Sequence, residues 1–147
     1  MLDYGTGPGT SIWAAKSVWD DAIEHVTAVD VSESMLRTAE DLMTDAAGKP
    51  VFNNVRFMRF LPQPKPGSLA NLVTASYVLN EQPDRALKMS LVQTLWSHTA
   101  DVLVLIEPGT PLGNLDILMV RDMIRTGQLG DAHIIAPVRV IYLEFLC

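Results

Sequence analysis

Apolar positions along this chain follow two rhythms in turn, short continuous or alternating runs and longer stretches at helical spacing. The first run, Met1-Leu2, passes straight into Asp3-Tyr4-Gly5-Thr6-Gly7-Pro8-Gly9. Ile12, Ala15, Trp19 and Ile23 then recur at one or two helical turns and predict the inward stripe of a first helix, capped by Thr10 or Ser11. Residues 26–29 are a short buried strand ended by Asp30. Met35, Ala39, Leu42 and Ala46 give a second helix behind an N-cap at Ser32, and Gly48-Lys49-Pro50 breaks it.

Residues 55–60 alternate as a third strand, and the proline-rich stretch 62–67 is a loop that can be neither helix nor central strand. A fourth strand covers residues 69–78, ending in Ser76, Tyr77, Asn80 and Glu81. Pro83 opens the next helix in its favoured first-turn place, and Leu87, Leu91, Val92, Leu95 and Trp96 supply its apolar face. Val102-Leu103-Val104-Leu105-Ile106 is the most continuously apolar run and predicts a fully buried parallel strand. A last helix starts near Asn114, carries Leu115, Leu118, Met119, Val120 and Ile124, and is ended by Gly127; residues 133–137 predict a further strand. The first five of these strands, alternating with four helices, give the fold class, an α/β doubly wound, mostly parallel sheet whose crossovers are right-handed.

Composition narrows this little. A length of 147 residues suits one domain, and 48% hydrophobic with 19% charged residues is a globular balance. A net charge of -6 gives no electrostatic case for autonomous DNA or RNA binding, although a local basic surface is compatible with it. The single cysteine, Cys147, excludes a disulfide or a multi-thiolate metal site within these residues. No apolar run reaches the roughly 18 residues a membrane span needs. With no basic leader before the first strand, any targeting segment belongs to a longer parent protein. His25, His98 and His133 share no metal-ligand spacing and read as surface or helix-end histidines.

The candidate chemistry sits in the opening turn. Glycines at alternate positions let a backbone leave a strand sharply and approach a ligand closely, with N–H groups open at the start of the next helix. Gly5, Gly7 and Gly9 form G-x-G-x-G, whereas the dinucleotide fingerprint would place its third glycine at Thr10, so the turn leans away from NAD. Asp30 ends the second strand about 20 residues later, where an acid suits a ribose and where both turns face one crevice. Ser76, Asn80 and Glu81 fall at another strand's carboxyl end, as ligand contacts or as a capped strand-to-helix junction.

Through residues 2–9 and Asp30 in Val29-Asp30-Val31-Ser32, the chain resembles the class I S-adenosylmethionine-dependent methyltransferases. Ala75-Ser76-Tyr77-Val78-Leu79-Asn80-Glu81, Thr94-Leu95-Trp96, and Ile106-Glu107-Pro108-Gly109-Thr110-Pro111-Leu112-Gly113 followed by Arg121 are more specific. They resemble the methyltransferase-like family associated with the mitochondrial small ribosomal subunit, which has bacterial members too, over residues 2–137. The resemblance implies a Rossmann-like fold, S-adenosylmethionine held by Asp3, Gly5, Gly7, Gly9, Asp30 and Ser76, and a methyl acceptor near Asn80 and Glu81. It implies small-subunit rRNA and proteins as partners, a role in subunit assembly and mitochondrial translation, and a mitochondrial location, or a cytoplasmic one for a bacterial member. A catalytically silent assembly factor and an NAD-binding oxidoreductase are the alternatives.

The family also implies an iron–sulfur centre on a cysteine cluster, and here the chain departs from it. After residue 137 a Cys-Pro-His type segment is expected, but residues 138–147 form an apolar tail with Cys147 alone. Met1 falls inside the expected first strand, so the domain at 1–137 reads as incomplete at both ends, with a tail expected to be unpaired and aggregation-prone.

Overall fold

A computed structural model of the protein describes residues 1–65 and 67–136. Among them lie a five-stranded sheet and four α-helices: β1 (Leu2–Tyr4), α1 (Thr10–Trp19), β2 (Val26–Val29), α2 (Glu33–Leu42), β3 (Val55–Met58), β4 (Ala70–Ser76), α3 (Arg85–Ser97), β5 (Thr99–Ile106) and α4 (Pro111–Arg125). The spatial order is β3-β2-β1-β4-β5, and every pairing is parallel. The chain therefore lays β2 and β3 on one side of β1, then crosses to lay β4 and β5 on the other. The point of reversal, between β1 and β4, opens a crevice beyond the strands' carboxyl ends.

Alternation along β2 divides the core between the two faces of the sheet. Val26 and Ala28 pack with Ile12 and Ala15 of α1 and with Met43, whereas Val29 packs with Leu2, Val73, Ala75 and Leu95 of α3. A third cluster joins α3 to α4 through Leu79, Val92, Met119, Val120 and Met123. Helices on both faces make the sheet doubly wound, as the alternation of elements predicts. No described helix is long and apolar enough to cross a membrane.

Several local expectations shift, each for a visible reason. Gly9, in the left-handed region at φ 86°, is the N-cap of α1, so Thr10 and Ser11 lie inside the helix. Trp19 is 51% exposed, because α1 ends there and a 3-10 turn at Asp20–Ala22 carries the chain back to Ile23. In α2 the buried stripe is Leu36, Ala39 and Met43, leaving Met35 and Leu42 in solvent, although Ser32 does cap it by accepting from Met35 N. Pro83 stands just outside α3, because the Asp84 carboxylate accepts the Leu87 N–H at 2.9 Å and fixes the start one residue later. Likewise Thr110 caps α4 by accepting from Gly113 N, ahead of the expected start at Asn114.

The strand expectations change more. β3 stops at Met58, which frees residues 59–61 to line the crevice. β5 is partly exposed along residues 102–105, and Ile106 is 47% exposed, because among the described residues β5 pairs with β4 alone and forms the sheet's edge. Residues 133–136 form no strand, while Pro137 and the apolar tail at 138–147 lie outside the described residues.

Candidate functional site

The site grows from the turn after β1. Gly5, Gly7 and Gly9 have φ of 69°, 50° and 86°, a region that residues with a Cβ adopt only with strain. A Cβ on Gly5 would overlap Val78 Cγ1, and one on Gly9 would overlap Met43 Cε, whereas one on Gly7 would meet open space. Gly9 thus lets α1 pack against the end of α2, and Gly5 lets the turn close over Val78, just past β4.

The donors of this turn are largely spent inside the protein. Gly5 N and Thr6 N both donate to Val29 O, at 2.8 and 2.9 Å, and Gly9 N donates to Thr6 O. Gly7 N donates to Asp30 Oδ2 at 2.9 Å. The expectation of open N–H groups is corrected for these four positions. At those four positions the turn offers a ligand room rather than an anion cradle.

Two carboxylates organise the turn from opposite sides. Asp3 is 1% exposed, and its oxygens accept from Thr6 Oγ1 at 2.7 Å and Thr74 Oγ1 at 2.6 Å. Burial raises its pKa above the ordinary carboxylate value, and the hydrogen bonds from Thr6, Thr74 and Ser11 oppose that rise. Asp30 ends β2, where Oδ1 accepts from Ser32 N at 2.8 Å and Oδ2 from Gly7 N. Each Asp30 oxygen keeps a second lone pair for a hydroxyl donor.

Asp30 and Gly5 border a cavity of about 390 Å³ at the carboxyl ends of the strands, with Tyr4, Arg59, Phe60 and Glu81 also on its wall. Of the residues expected from the sequence, Gly5, Asp30 and Glu81 meet here. Asp3, Gly7 and Gly9 lie behind the wall in the turn; Ser76 sits with its Oγ 3.4 Å from Ser11 Oγ, and Asn80 is exposed off the lining.

Tyr4 and residues 59–61 escaped the sequence reading. Tyr4 stands between the acid and the first glycine of the motif, and its phenol pKa is raised, by burial first and then by the charges of Asp30 and Glu81. The Arg59 guanidinium lies 5.5 Å from the Phe60 ring centroid and donates to Val31 O, so both stand at the rim beside Asp30. Their signal was the end of the β3 alternation, which the sequence alone set two residues late.

Glu107 was also missed. Its Oε1 accepts the Leu79 N–H at 2.9 Å, which ties the loop after β4 to the end of β5, and its Oε2 is buried with no partner among the described residues. An acid just past a strand's carboxyl end was the available signal. His98 closes α3 as a helix-end residue but is buried, with its ring nitrogens 2.8 Å from Thr94 O and 2.7 Å from Pro62 O. No group of three metal-ligating side chains occurs among the described residues.

A family profile described as mitochondrial small ribosomal subunit Rsm22 matches residues 1–139. The human ribosome assembly protein METTL17, mitochondrial, is 35% identical over 130 residues, which cover 87% of this chain and 28% of that protein. The chain thus spans little more than a quarter of that relative's length. Among solved structures, a candidate methyltransferase from Bacillus halodurans C-125 superposes with a TM-score of 0.53 over 82% of this chain and 51% of that one. At 19% identity the likeness concerns the fold, which is that of Rossmann-like methyltransferases.

Proposed function

The chain belongs to the mitochondrial small ribosomal subunit Rsm22 family, and from that premise we propose that it is an S-adenosylmethionine-dependent methyltransferase-like protein acting in small-subunit assembly and mitochondrial translation. The observation that carries this reading is the acid-flanked cavity at the glycine turn. Among the described residues its wall holds Asp30 and Glu81 against the single cation Arg59, a balance that favours a cationic ligand, and the N–H groups of Gly5, Thr6, Gly7 and Gly9 beside it are spent inside the protein. A sulfonium cofactor with no phosphate fits that combination better than a dinucleotide does.

In this reading Asp30 takes the ribose hydroxyls, Gly5 gives the amino-acid end room to approach, and Asp3, Gly7 and Gly9 hold the turn in shape. Ser76 lies at the turn's far side, and Asn80 and Glu81 border the acceptor. The cofactor supplies an activated methyl group, and the protein's part is to align donor and acceptor while excluding water. An iron–sulfur centre does not fit the described residues, which hold no thiolate set.

Isothermal titration with S-adenosylmethionine tests the cofactor reading. Saturable heat is expected, and a flat trace at millimolar cofactor with folded protein would sink it. For the partner, small-subunit rRNA and proteins, the test is co-sedimentation from mitochondria with the small subunit. A second reading, a catalytically silent assembly factor, draws support from the human relative, which is named for ribosome assembly. Binding to the subunit without transfer of a labelled methyl group would favour it.

A further inference from the structure

The sheet stops at β5 on a strand that is poorly suited to an edge. Among the described residues β5 pairs with β4 alone, yet Val102-Leu103-Val104-Leu105-Ile106 carries no charge, and an apolar edge is a template for another strand. A groove of about 450 Å³ runs beside it. Residues 102–105 all line this groove. Successive strand residues point to opposite faces, so the groove follows the edge of β5 rather than one face of the sheet. Ile117, Val120 and Ile124 of α4 line it too, as do residues 131–136.

The sequence that follows has the pattern such a slot needs. From Ala136, on the groove lining, the chain runs on through residues 137–147. Both phases of the alternation are apolar there, Ile141, Leu143 and Phe145 in one and Val138, Val140 and Tyr142 in the other, which suits a strand covered on both faces. At about 3.3 Å per residue, 138–146 extended reach about 30 Å, enough to run the length of the eight-residue β5. Charge agrees with this. Asp101 and Asp131 are exposed carboxylates on the lining, and Arg139 is the tail's single cation.

We infer that residues 138–146 dock along β5 of their own chain and close the edge of the sheet as a sixth strand. A segment tethered at the groove itself is present there at an effective concentration of about millimolar order, which a second copy does not reach. Two copies meeting edge to edge would also bring Asp101 and Asp131 of each together, on chains of net charge -6. In place of the unpaired tail that the sequence alone suggests, the chain supplies the strand its own edge lacks. The inference is independent of the cofactor reading and of the partner.

Hydrogen exchange read by mass spectrometry on the 147-residue chain, at two protein concentrations and alongside sedimentation velocity, tests it. A monomer is expected in which 138–146 and β5 exchange about ten-fold or more slowly than unpaired chain, equally at both concentrations. Leu143→Asp puts a charge into the slot and should return the tail to fast exchange and speed that of β5, while β1 and β2 keep their protection. Leu143→Ile should exchange as the parent does. Fast exchange of 138–146 in the parent would overturn the inference. Protection that grows with concentration alongside a dimer would overturn it as well, by giving the edge to a second copy, and so would a Leu143→Asp protein whose tail stays protected.

Discussion

The backbone N–H of Gly7 donates to Oδ2 of Asp30 at 2.9 Å, which joins the turn after β1 to the turn after β2. Oδ1 of the same carboxylate accepts from Ser32 N, so one side chain sets the geometry of both turns. Asp30 is therefore structural and ligand-facing at once. Asp30→Ala should cost about 1–3 kcal/mol of stability through two stranded N–H groups. It should also abolish S-adenosylmethionine binding. Asp30→Asn can still accept one of the bonds and should lose less stability. Paired urea melts and calorimetric titrations check this, and an Asp30→Ala protein with unchanged affinity would refute the ribose role.

The three glycines of the turn should not respond alike to alanine. Gly7→Ala meets open space and carries only the conformational cost of a positive φ, about 1–2 kcal/mol. Gly5→Ala adds overlap with Val78 Cγ1 and should cost more, part of which Val78→Ala should recover. Gly9→Ala should be partly rescued by Met43→Ala, because Met43 Cε is the flexible end that must move. Thermal melts of the single and double variants give the comparison. Equal losses at all three positions would show that φ strain alone governs.

Lys88 on α3 donates to both oxygens of Asp116 on α4, at 2.7 and 2.8 Å, and both side chains are less than a tenth exposed. Removing one partner leaves an uncompensated buried charge, so Lys88→Met or Asp116→Leu alone should lose about 3–5 kcal/mol. The double variant should return close to parent stability, since an apolar pair of similar volume incurs no desolvation penalty. A double-mutant cycle by denaturant unfolding decides it, and additive losses would contradict the pairing.

Asp3 sets a pH dependence. Its folded-state pKa is raised above the ordinary value of 3.8, by burial first and also by the charge of Asp30. A raised carboxyl binds its proton more tightly in the folded state, so its contribution is fully present below the unfolded value and is lost as pH rises through the folded one. Asp3→Asn removes the titration while keeping a group of the same shape between Thr6 and Thr74. Over about pH 3 to 7, the variant's stability should fall less with rising pH than the parent's does. Parallel curves for the two proteins would show that Asp3 does not titrate in that window.

Much of the fold was legible because period and punctuation carry it. The run Val26 to Val29, the Ser32 cap and the Gly127 stop were each readable from local chemistry, and each stands where expected. Phase within helices was less legible. Met35 and Leu36 are equally apolar, and only the position of β3 and Met43 against α2 decides that Leu36 goes inside. Asp116 went unnoticed among apolar neighbours, because a buried acid is recognisable only once Lys88 is opposite it.

By itself the sequence determined the alternation of strands and helices, the places where only glycine serves, and the acid at the end of the second strand, Asp30, because these depend on neighbours along the chain. The tertiary structure alone decided that the glycine N–H groups are spent internally, that Asp30 reaches back to Gly7, that β5 forms the edge among the described strands, and that Tyr77 is held facing outward. Those outcomes depend on contacts between residues distant in the chain, whose donors, acceptors and free volume are matched only when the sheet has closed.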